Sequence, residues 1–404
     1  MLRLLPPEII IRDDPGAGNN RPRIIFSKPI GEPDMDGLHE ARYYQTVPGK
    51  QVLCTLCPHD CRIVDGGRGA CGVRYNHNGK LYTLVYDKVV SRNVEPVEKK
   101  PLYHFYPAST AYSIGTVGCN LRCAFCQNWQ ISQWPKVHLP KRAIENGELE
   151  DQEFICPRLA ELETTIPGEQ VTPQGIVEAA LTAGATSIAY TYTEPTIFYE
   201  LAYDTAVLAR EQGLKNIFVT SGYISEEPLR ELATVLDAAN VDIKFFKEES
   251  YRHISRVRMQ PILDAIRLYH ELGVWIELTT LVIPGLNDTE EELQAIADFV
   301  RSVGVEVPWH VSQFYPAYKM RDVPVTPLET LRRAGEIGRA AGLRYVYEGN
   351  VPGEPGEDTN CWQCGALLID RYGFHVRANR IHNGCCPDCG AAVDGIGMNQ
   401  DEER

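Results

Sequence analysis

No run of eighteen or more apolar residues interrupts this 404-residue chain, so no transmembrane helix is expected. Positive charge is also scarce. The formal balance of −14, from 40 Lys and Arg against 54 Asp and Glu, argues against a general nucleic-acid or anionic-membrane surface. It leaves room for a local basic pocket. The opening MLRLLPPEIIIRDDPGAGNN has an apolar patch broken by Pro6 and Pro7, and lacks the longer apolar stretch and cleavage site of a secretory signal. Evenly scattered cysteines are missing too. The 13 that are present fall in tight groups within a large chain, which favours metal binding in a reducing cytoplasm over a disulfide framework. With 44% hydrophobic residues, the chain can bury one large core and one or two small satellite modules.

The most telling shortage is a single thiol. SIGTVGCNLRCAFCQNW places Cys119, Cys123 and Cys126 as C-x3-C-x2-C, with no fourth cysteine in the motif. Three thiolates can hold three irons of a 4Fe–4S cube and leave the fourth iron to a ligand that is not protein. A three-cysteine structural zinc or iron site with a remote fourth ligand is the alternative, although zinc knuckles more often use C-x2-C pairs. The hydrophobic AYSIGTV just before Cys119 reads as a buried strand, and Phe125 lies between the last two cysteines.

This arrangement resembles the radical S-adenosylmethionine (SAM) superfamily, whose signature is C-x3-C-x-aromatic-C directly after the first barrel strand. The resemblance implies that the amino and carboxylate groups of SAM chelate the open iron. It also implies that an electron from the cluster cleaves the sulfonium to methionine and a 5′-deoxyadenosyl radical.

Along the chain, residues 1–45 are rich in Pro, Gly, Asn and charge, and read as an extended arm. Residues 46–95 form a cysteine-rich metal module ending in short strands. Residues 96–348 alternate strand-like and helix-like segments, from AYSIGTV through SIAYTYT, NIFVTS, VDIKFF, VWIELTTLV and WHVSQFY to LRYVYE. Thr172-Pro173, Ser225, the capping box Thr326-Pro327-Leu328-Glu329 and the pair Asp288/Glu291 mark expected helix starts. Repeated β-then-α units imply an α/β fold with parallel strands. Six units are too few for a closed eight-fold barrel, and a partial (βα)6 TIM-type barrel fits the count. The superfamily resemblance implies the same fold. Residues 136–169 fit no unit and read as an acidic insertion, with Cys156 an ordinary thiol. Residues 349–404 form a zinc-ribbon-like module.

Ligands of parallel α/β folds bind where strands end at their carboxyl edge. Polar groups gather there: Thr191 to Pro195, Thr220 to Tyr223, Asp242 to Lys244, then Glu277 and Thr279, and finally His310, Ser312 and Gln313. Together with C-x-L-C-P-x-x-C, EKKPLYHF at 98–105, YTYTEPTIFYE and the C-terminal cysteine pairs, the chain is similar to the pyruvate formate-lyase-activating-enzyme-like group. Within that group it most resembles the AmmeMemoRadiSam system radical enzymes, over nearly everything from 50 to 390. The resemblance implies that Thr193-Glu194-Pro195 replaces a Gly-Gly-Glu motif, with Glu194 accepting from the methionyl amino group of SAM. It implies that Ser221, Asp242 and Lys244 line the methionyl and ribose end, and that Phe125 contacts adenine. The residues alone also allow Glu194 to be a helix cap, Asp242 and Lys244 a solvated pair, and His310 either a cofactor contact or a satisfied core histidine.

Two further cysteine sets stand apart. Cys361-x2-Cys364 and Cys386-x2-Cys389 flank a potential hairpin and suit tetrahedral zinc, with rubredoxin-type iron using the same ligands. Cys385 is a spectator. Cys54, Cys57, Cys61 and Cys71 supply four more thiolates, which zinc and an auxiliary 4Fe–4S cluster both accept; zinc is the expectation taken here. The leading functional reading is a radical SAM enzyme that abstracts hydrogen from a protein, peptide or small molecule. It would be fed by a low-potential donor such as flavodoxin or ferredoxin. The resemblances suggest either activation of a glycyl radical partner protein or action beside AmmeMemo-type partners. A non-catalytic iron–sulfur and zinc protein, either an electron carrier or an adaptor, is the rival class.

Overall fold

The computed structural model describes residues 38–134, 166–351 and 355–399, with the short strands Ile11–Arg12 and Arg23–Ile24. Most of the expected arm, and Cys156 with residues 136–165 of the expected insertion, lie outside the described residues.

The first module begins earlier than the composition suggests. Strands β1 (His39–Glu40), β2 (Tyr44–Val47), β3 (Gln51–Cys54), β4 (Cys61–Ile63), β5 (Arg74–His77) and β6 (Lys80–Thr83) form two small antiparallel sheets, ordered β2-β3-β4 and β1-β6-β5. Cys54 and Cys61 face each other across the β3–β4 pair. The module's apolar residues, among them Val52, Ile63, Val73 and Leu81, are fully buried and continuous with the main core.

The body is one eight-stranded sheet. Strand β7 (Ser91–Pro96) runs antiparallel to β8 (Thr110–Gly115), so residues assigned by composition to the first module belong instead to the large sheet. Six parallel pairings then join β8 to β9 (Ser187–Tyr190), β10 (Lys215–Thr220), β11 (Ala238–Asp242), β12 (Trp275–Val282), β13 (Trp309–Gln313) and β14 (Val346–Gly349). Spatial order follows sequence order throughout. Every crossover carries a helix: α1 (Pro173–Thr182), α2 (Tyr199–Glu211), α3 (Glu226–Leu232), α4 (Gln260–Glu271), α5 (Glu290–Val303) and α6 (Leu328–Ala340). The strands are buried along nearly their whole length, as a parallel sheet covered on both faces requires. No described helix is long and apolar enough to cross a membrane.

Helix starts show how local chemistry was redistributed. Thr172 caps α1 as its sequence suggests, accepting from Gly175 N at 3.1 Å behind Pro173. The other expected boxes shift. Thr289, not Asp288, caps α5, while Asp288 accepts from Gly285 N at 2.9 Å in the preceding turn. Ser225 precedes α3 without a side-chain cap bond. Helix α6 starts at Leu328, and the Thr326 hydroxyl instead donates to Val282 O and accepts from Phe314 N, tying β12 to β13.

One end of the sheet is closed by residues 97–106. Val97, Leu102 and Phe105 are fully buried against Ala111, Ala189, Ile217 and Ala238. Glu277 anchors this plug. Its buried carboxylate accepts from Tyr103 N, His104 N, Trp275 Nε1 and His310 Nε2 at 2.7–3.1 Å. The last module, with strands β15 (Thr359–Asn360), β16 (Leu367–Tyr372) and β17 (His375–Asn379), docks on this same end. Arg371 enters from β16, donates to Tyr103 O, Glu357 O and Thr359 Oγ1, and lies 4.4 Å over the Tyr103 ring.

Candidate active site and metal centres

The carboxyl ends of the strands lie opposite the plug, and β8 delivers the three-cysteine loop there. Cys119 and Cys123 are buried and Cys126 is partly so. The loop is fastened at several points. Arg122 N donates to Ser255 O and Ala124 N to Ile254 O, at 2.9 and 3.1 Å, pinning it to a π-helical turn at Tyr251–Ser255. Asn128 Nδ2 reaches Tyr192 O at 2.8 Å, pinning it to the turn after β9. The sulfurs face small polar groups: Leu121 N donates to Cys119 Sγ at 3.3 Å, the Cys123 thiol donates to the Ser255 hydroxyl at 3.4 Å, and the Ser132 hydroxyl lies 3.1 Å from Cys126 Sγ. Burial pushes the Cys123 thiol up, with the Lys244 ammonium opposing it. Thiols set among N–H and hydroxyl groups are what a cluster-bearing loop needs, since these groups turn to donate once the sulfur is a thiolate and so compensate its charge.

Two groups of predicted residues come together around this loop. Lys244 is 2.7 Å from Asp242, 5.9 Å from the Phe125 ring centre, and close enough to Cys123 for direct charge interaction. Burial alone would lower the Lys244 pKa, but Asp242 and Cys123 outweigh it and raise it, so the ammonium stays charged. Glu194 and Ser221 form the second group. Glu194 Oε2 accepts from Ser221 N at 2.8 Å, and Oε1 accepts from Thr220 Oγ1 and from Thr196 N and Oγ1. Glu194 thus caps the helical turn at Pro195–Phe198, as the plainer sequence reading allowed. Thr193 donates its hydroxyl to Thr116 O at 3.0 Å, joining the turn after β9 to the end of β8. The turn requires left-handed backbone at Tyr192, φ 67°, and close passage over Gly115, where a Cβ would meet Thr191 O at 2.6 Å.

His310 is not brought to these groups. Its Nε2 is 2.7 Å from Glu277, and its ring stacks on Tyr347 and meets Tyr103 edge-on. It is a satisfied core histidine belonging to the plug. Glu277, read from sequence as one of the polar groups near the mouth, serves the same plug. The strand position was legible; which end of the strand it served was not.

The family model described as the Radical SAM superfamily matches residues 113–300, from β8 through α5. The chain belongs to the radical SAM superfamily. Uncharacterized protein MJ0808 of Methanocaldococcus jannaschii is 42% identical to this radical SAM protein over 360 residues, covering 88% of the chain and 99% of its own length. Activating enzymes are among its homologues. The pyruvate formate-lyase-activating enzyme of Staphylococcus aureus is 23% identical over 264 residues, 60% of this chain and 91% of that one. The isethionate sulfite-lyase activating enzyme of Oleidesulfovibrio alaskensis is 27% identical over 144 residues, 35% of this chain and 45% of that one.

The four C-terminal cysteines of this radical SAM protein do converge. The sulfurs of Cys361, Cys364, Cys386 and Cys389 all lie within 4.8 Å of one another, with Cys361–Cys389 at 3.6 Å and Cys364–Cys386 at 3.7 Å. Burial raises the Cys361 thiol pKa, but the N–H groups of Cys364 and Gln363 aimed at the sulfur bring it down to about 7. A four-cysteine group of this compactness could bind a metal ion. Cys385 pairs its backbone with His382 and stays outside the set.

Proposed function

We propose that the protein is an enzyme that reductively cleaves SAM at a 4Fe–4S cluster held by Cys119, Cys123 and Cys126. The eight-stranded sheet then acts as a partial (βα)6 barrel. The single observation supporting this most strongly is the loop itself. It holds three thiols, each beside an N–H or a hydroxyl group, at the carboxyl edge of a sheet whose family match spans β8 to α5.

When bound, the cluster and SAM supply the electron and the leaving sulfonium from which a 5′-deoxyadenosyl radical arises. The chain's own residues position and enclose. Lys244 and Asp242 form a charged pair beside Phe125, able to orient the polar end of the cofactor against an aromatic wall. Ser221 and Thr193 fix the turns that line the cofactor, and Glu194 holds both turns together through its two oxygens. The plug keeps water from the opposite end. Zinc at the C-terminal cysteines is the assignment that fits sulfur separations near the edge of a tetrahedron about 3.8 Å long.

Relatives named as activating enzymes favour a partner protein as the substrate of hydrogen abstraction, and a low-potential carrier such as flavodoxin or ferredoxin would supply the electron the cluster needs. Anaerobic reconstitution with iron and sulfide, followed by dithionite and SAM, should yield 5′-deoxyadenosine. A Cys123→Ala variant should lose iron and product together. Undiminished cleavage in that variant would refute the assignment.

A further inference from the structure

We propose that Cys54, Cys57, Cys61 and Cys71 hold a second 4Fe–4S cluster, rather than the zinc expected from sequence, and that it passes electrons to the Cys119, Cys123 and Cys126 centre. The relay role rests on the reading of that centre given above; the metal assignment does not.

Spacing separates the two candidate metals. A zinc ion with Zn–S bonds of about 2.3 Å holds its sulfurs roughly 3.8 Å apart. A cubane, with an iron at each corner between them, holds its cysteine sulfurs on the order of 6 Å apart. Among the described residues, only the C-terminal set gathers its sulfurs within 4.8 Å of one another. The N-terminal four are set more widely. They nevertheless form one group, because Cys54 and Cys61 face each other across β3 and β4, and Ala70 N, next to Cys71, lies 3.4 Å from Cys61 Sγ.

The surroundings call for an anion. Cys54, Cys61 and Cys71 are 5–7% exposed. Arg74, 1% exposed, faces Cys54 and Cys71, and its Nε is buried without a hydrogen-bond partner. Its terminal nitrogen is already engaged by both Glu200 oxygens at 2.7 and 2.8 Å. Arg68, 3% exposed, faces Cys71 and Tyr75, and donates to Gly72 O at 3.4 Å. Two buried guanidinium groups against one buried carboxylate leave positive charge that a metal–thiolate centre neutralises. The orphan Arg74 N–H is a ready donor to a thiolate or an inorganic sulfide.

The site also touches the other centre on both sides of Cys119. The Asn120 side chain faces the Cys57 thiol, and His59 Nε2 lies 2.7 Å from Asn120 O. On the other side Gly118, at φ +94°, passes so close that a Cβ would lie 3.0 Å from Cys71 O and 2.8 Å from Val73 Cγ1. A zinc ion so placed would be electronically silent, whereas a cubane is poised for transfer. A low-potential one-electron protein donor reduces the second cluster from the 2+ to the 1+ state. That electron moves to the first cluster, returning the second to 2+, and the SAM sulfonium is the final acceptor.

The test uses the full chain, purified and reconstituted without oxygen. A Cys119→Ala/Cys123→Ala/Cys126→Ala variant should retain about half of the wild-type iron and sulfide, and a reduced electron paramagnetic resonance signal indifferent to SAM. A Cys54→Ala/Cys71→Ala variant should retain the other half, with a signal that SAM alters. The doubly reduced wild type should show spin–spin broadening that neither variant shows. Retention of zinc and no iron by the triple variant overturns the metal assignment. Two separate clusters without broadening overturn the relay. If SAM alters neither signal while the triple variant keeps its iron, the enzymatic reading fails and the second cluster stands.

Discussion

Two four-cysteine modules flank the same sheet, and they are built on opposite plans. The C-terminal one is compact and outlying. Cys364 and Cys389 are exposed, and its buried core is a small cluster around Leu368, Ile369 and Ile381. It docks against the plug through Arg371, and against the residues leading into β14 through the Asp394 carboxylate, which accepts from Arg344 and Tyr345. The N-terminal one is merged into the main core, rimmed by buried arginines, and pressed against the loop of Cys119. Ligand type and number are the same in both. Position and spacing differ, and these suggest a fold-supporting metal at one end and a redox centre at the other.

The sharpest way to break this contrast is to remove the C-terminal ligands. Structural zinc contributes on the order of 10 kcal/mol to small modules of this kind. Cys361→Ser/Cys386→Ser should therefore release zinc and open residues 355–399 to proteolysis, while iron content holds; loss of iron instead would reverse the assignment. Next in size is the carboxylate beneath the docking face. Glu277→Ala strands three buried donors and the half-buried Trp275 N–H, and should cost about 3–5 kcal/mol by urea unfolding, with Glu277→Gln costing clearly less. Equal losses would show that charge, not acceptor geometry, is what matters there.

A smaller effect is expected where the N-terminal module meets the cluster loop. Gly118→Ala combines left-handed backbone with overlap on Val73 and should cost roughly 2–4 kcal/mol. Gly273→Ala, at φ +79° with open space around it, should cost about 1 kcal/mol. If urea midpoints rank the two the other way, the close approach is not tight.

The gentlest probe is pH. Burial pushes His104 down to about 4, with Glu277 and the Asp394 carbonyl only partly offsetting it, so the folded protein prefers neutral imidazole between Tyr347 and Asp394 O. That contribution is complete above the ordinary histidine value of about 6.5 and is lost as pH falls toward about 4. A His104→Phe variant should flatten the decline in unfolding free energy over that window. An unchanged slope would assign the decline to other groups.

Much of the frame was legible because parallel strands announce themselves. SIAYTYT, NIFVTS and VWIELTTLV are largely apolar runs of strand length between amphipathic segments, and each overlaps a strand of the sheet. The three-cysteine loop was legible because short-range spacing survives folding unchanged. What escaped was whatever depends on contacts between distant residues. Glu277 and His310 lie 33 positions apart, and nothing local tells that they clasp each other beneath a plug. Arg74 and Glu200, 126 apart, hide a buried ion pair behind ordinary charged residues. Thr326 looked like a cap by spacing, but two strands nearby offered its hydroxyl better partners than the helix did.

The proposed chemistry requires an iron left open to SAM at the cluster of Cys119, Cys123 and Cys126. Reduced Cys54→Ala/Cys71→Ala protein, which leaves only that cluster, can be examined by electron–nuclear double resonance with SAM labelled in its carboxylate and amino groups. Hyperfine coupling to the labelled atoms is the expected result. A spectrum identical with and without labelled SAM, from protein with its full complement of iron, would contradict it.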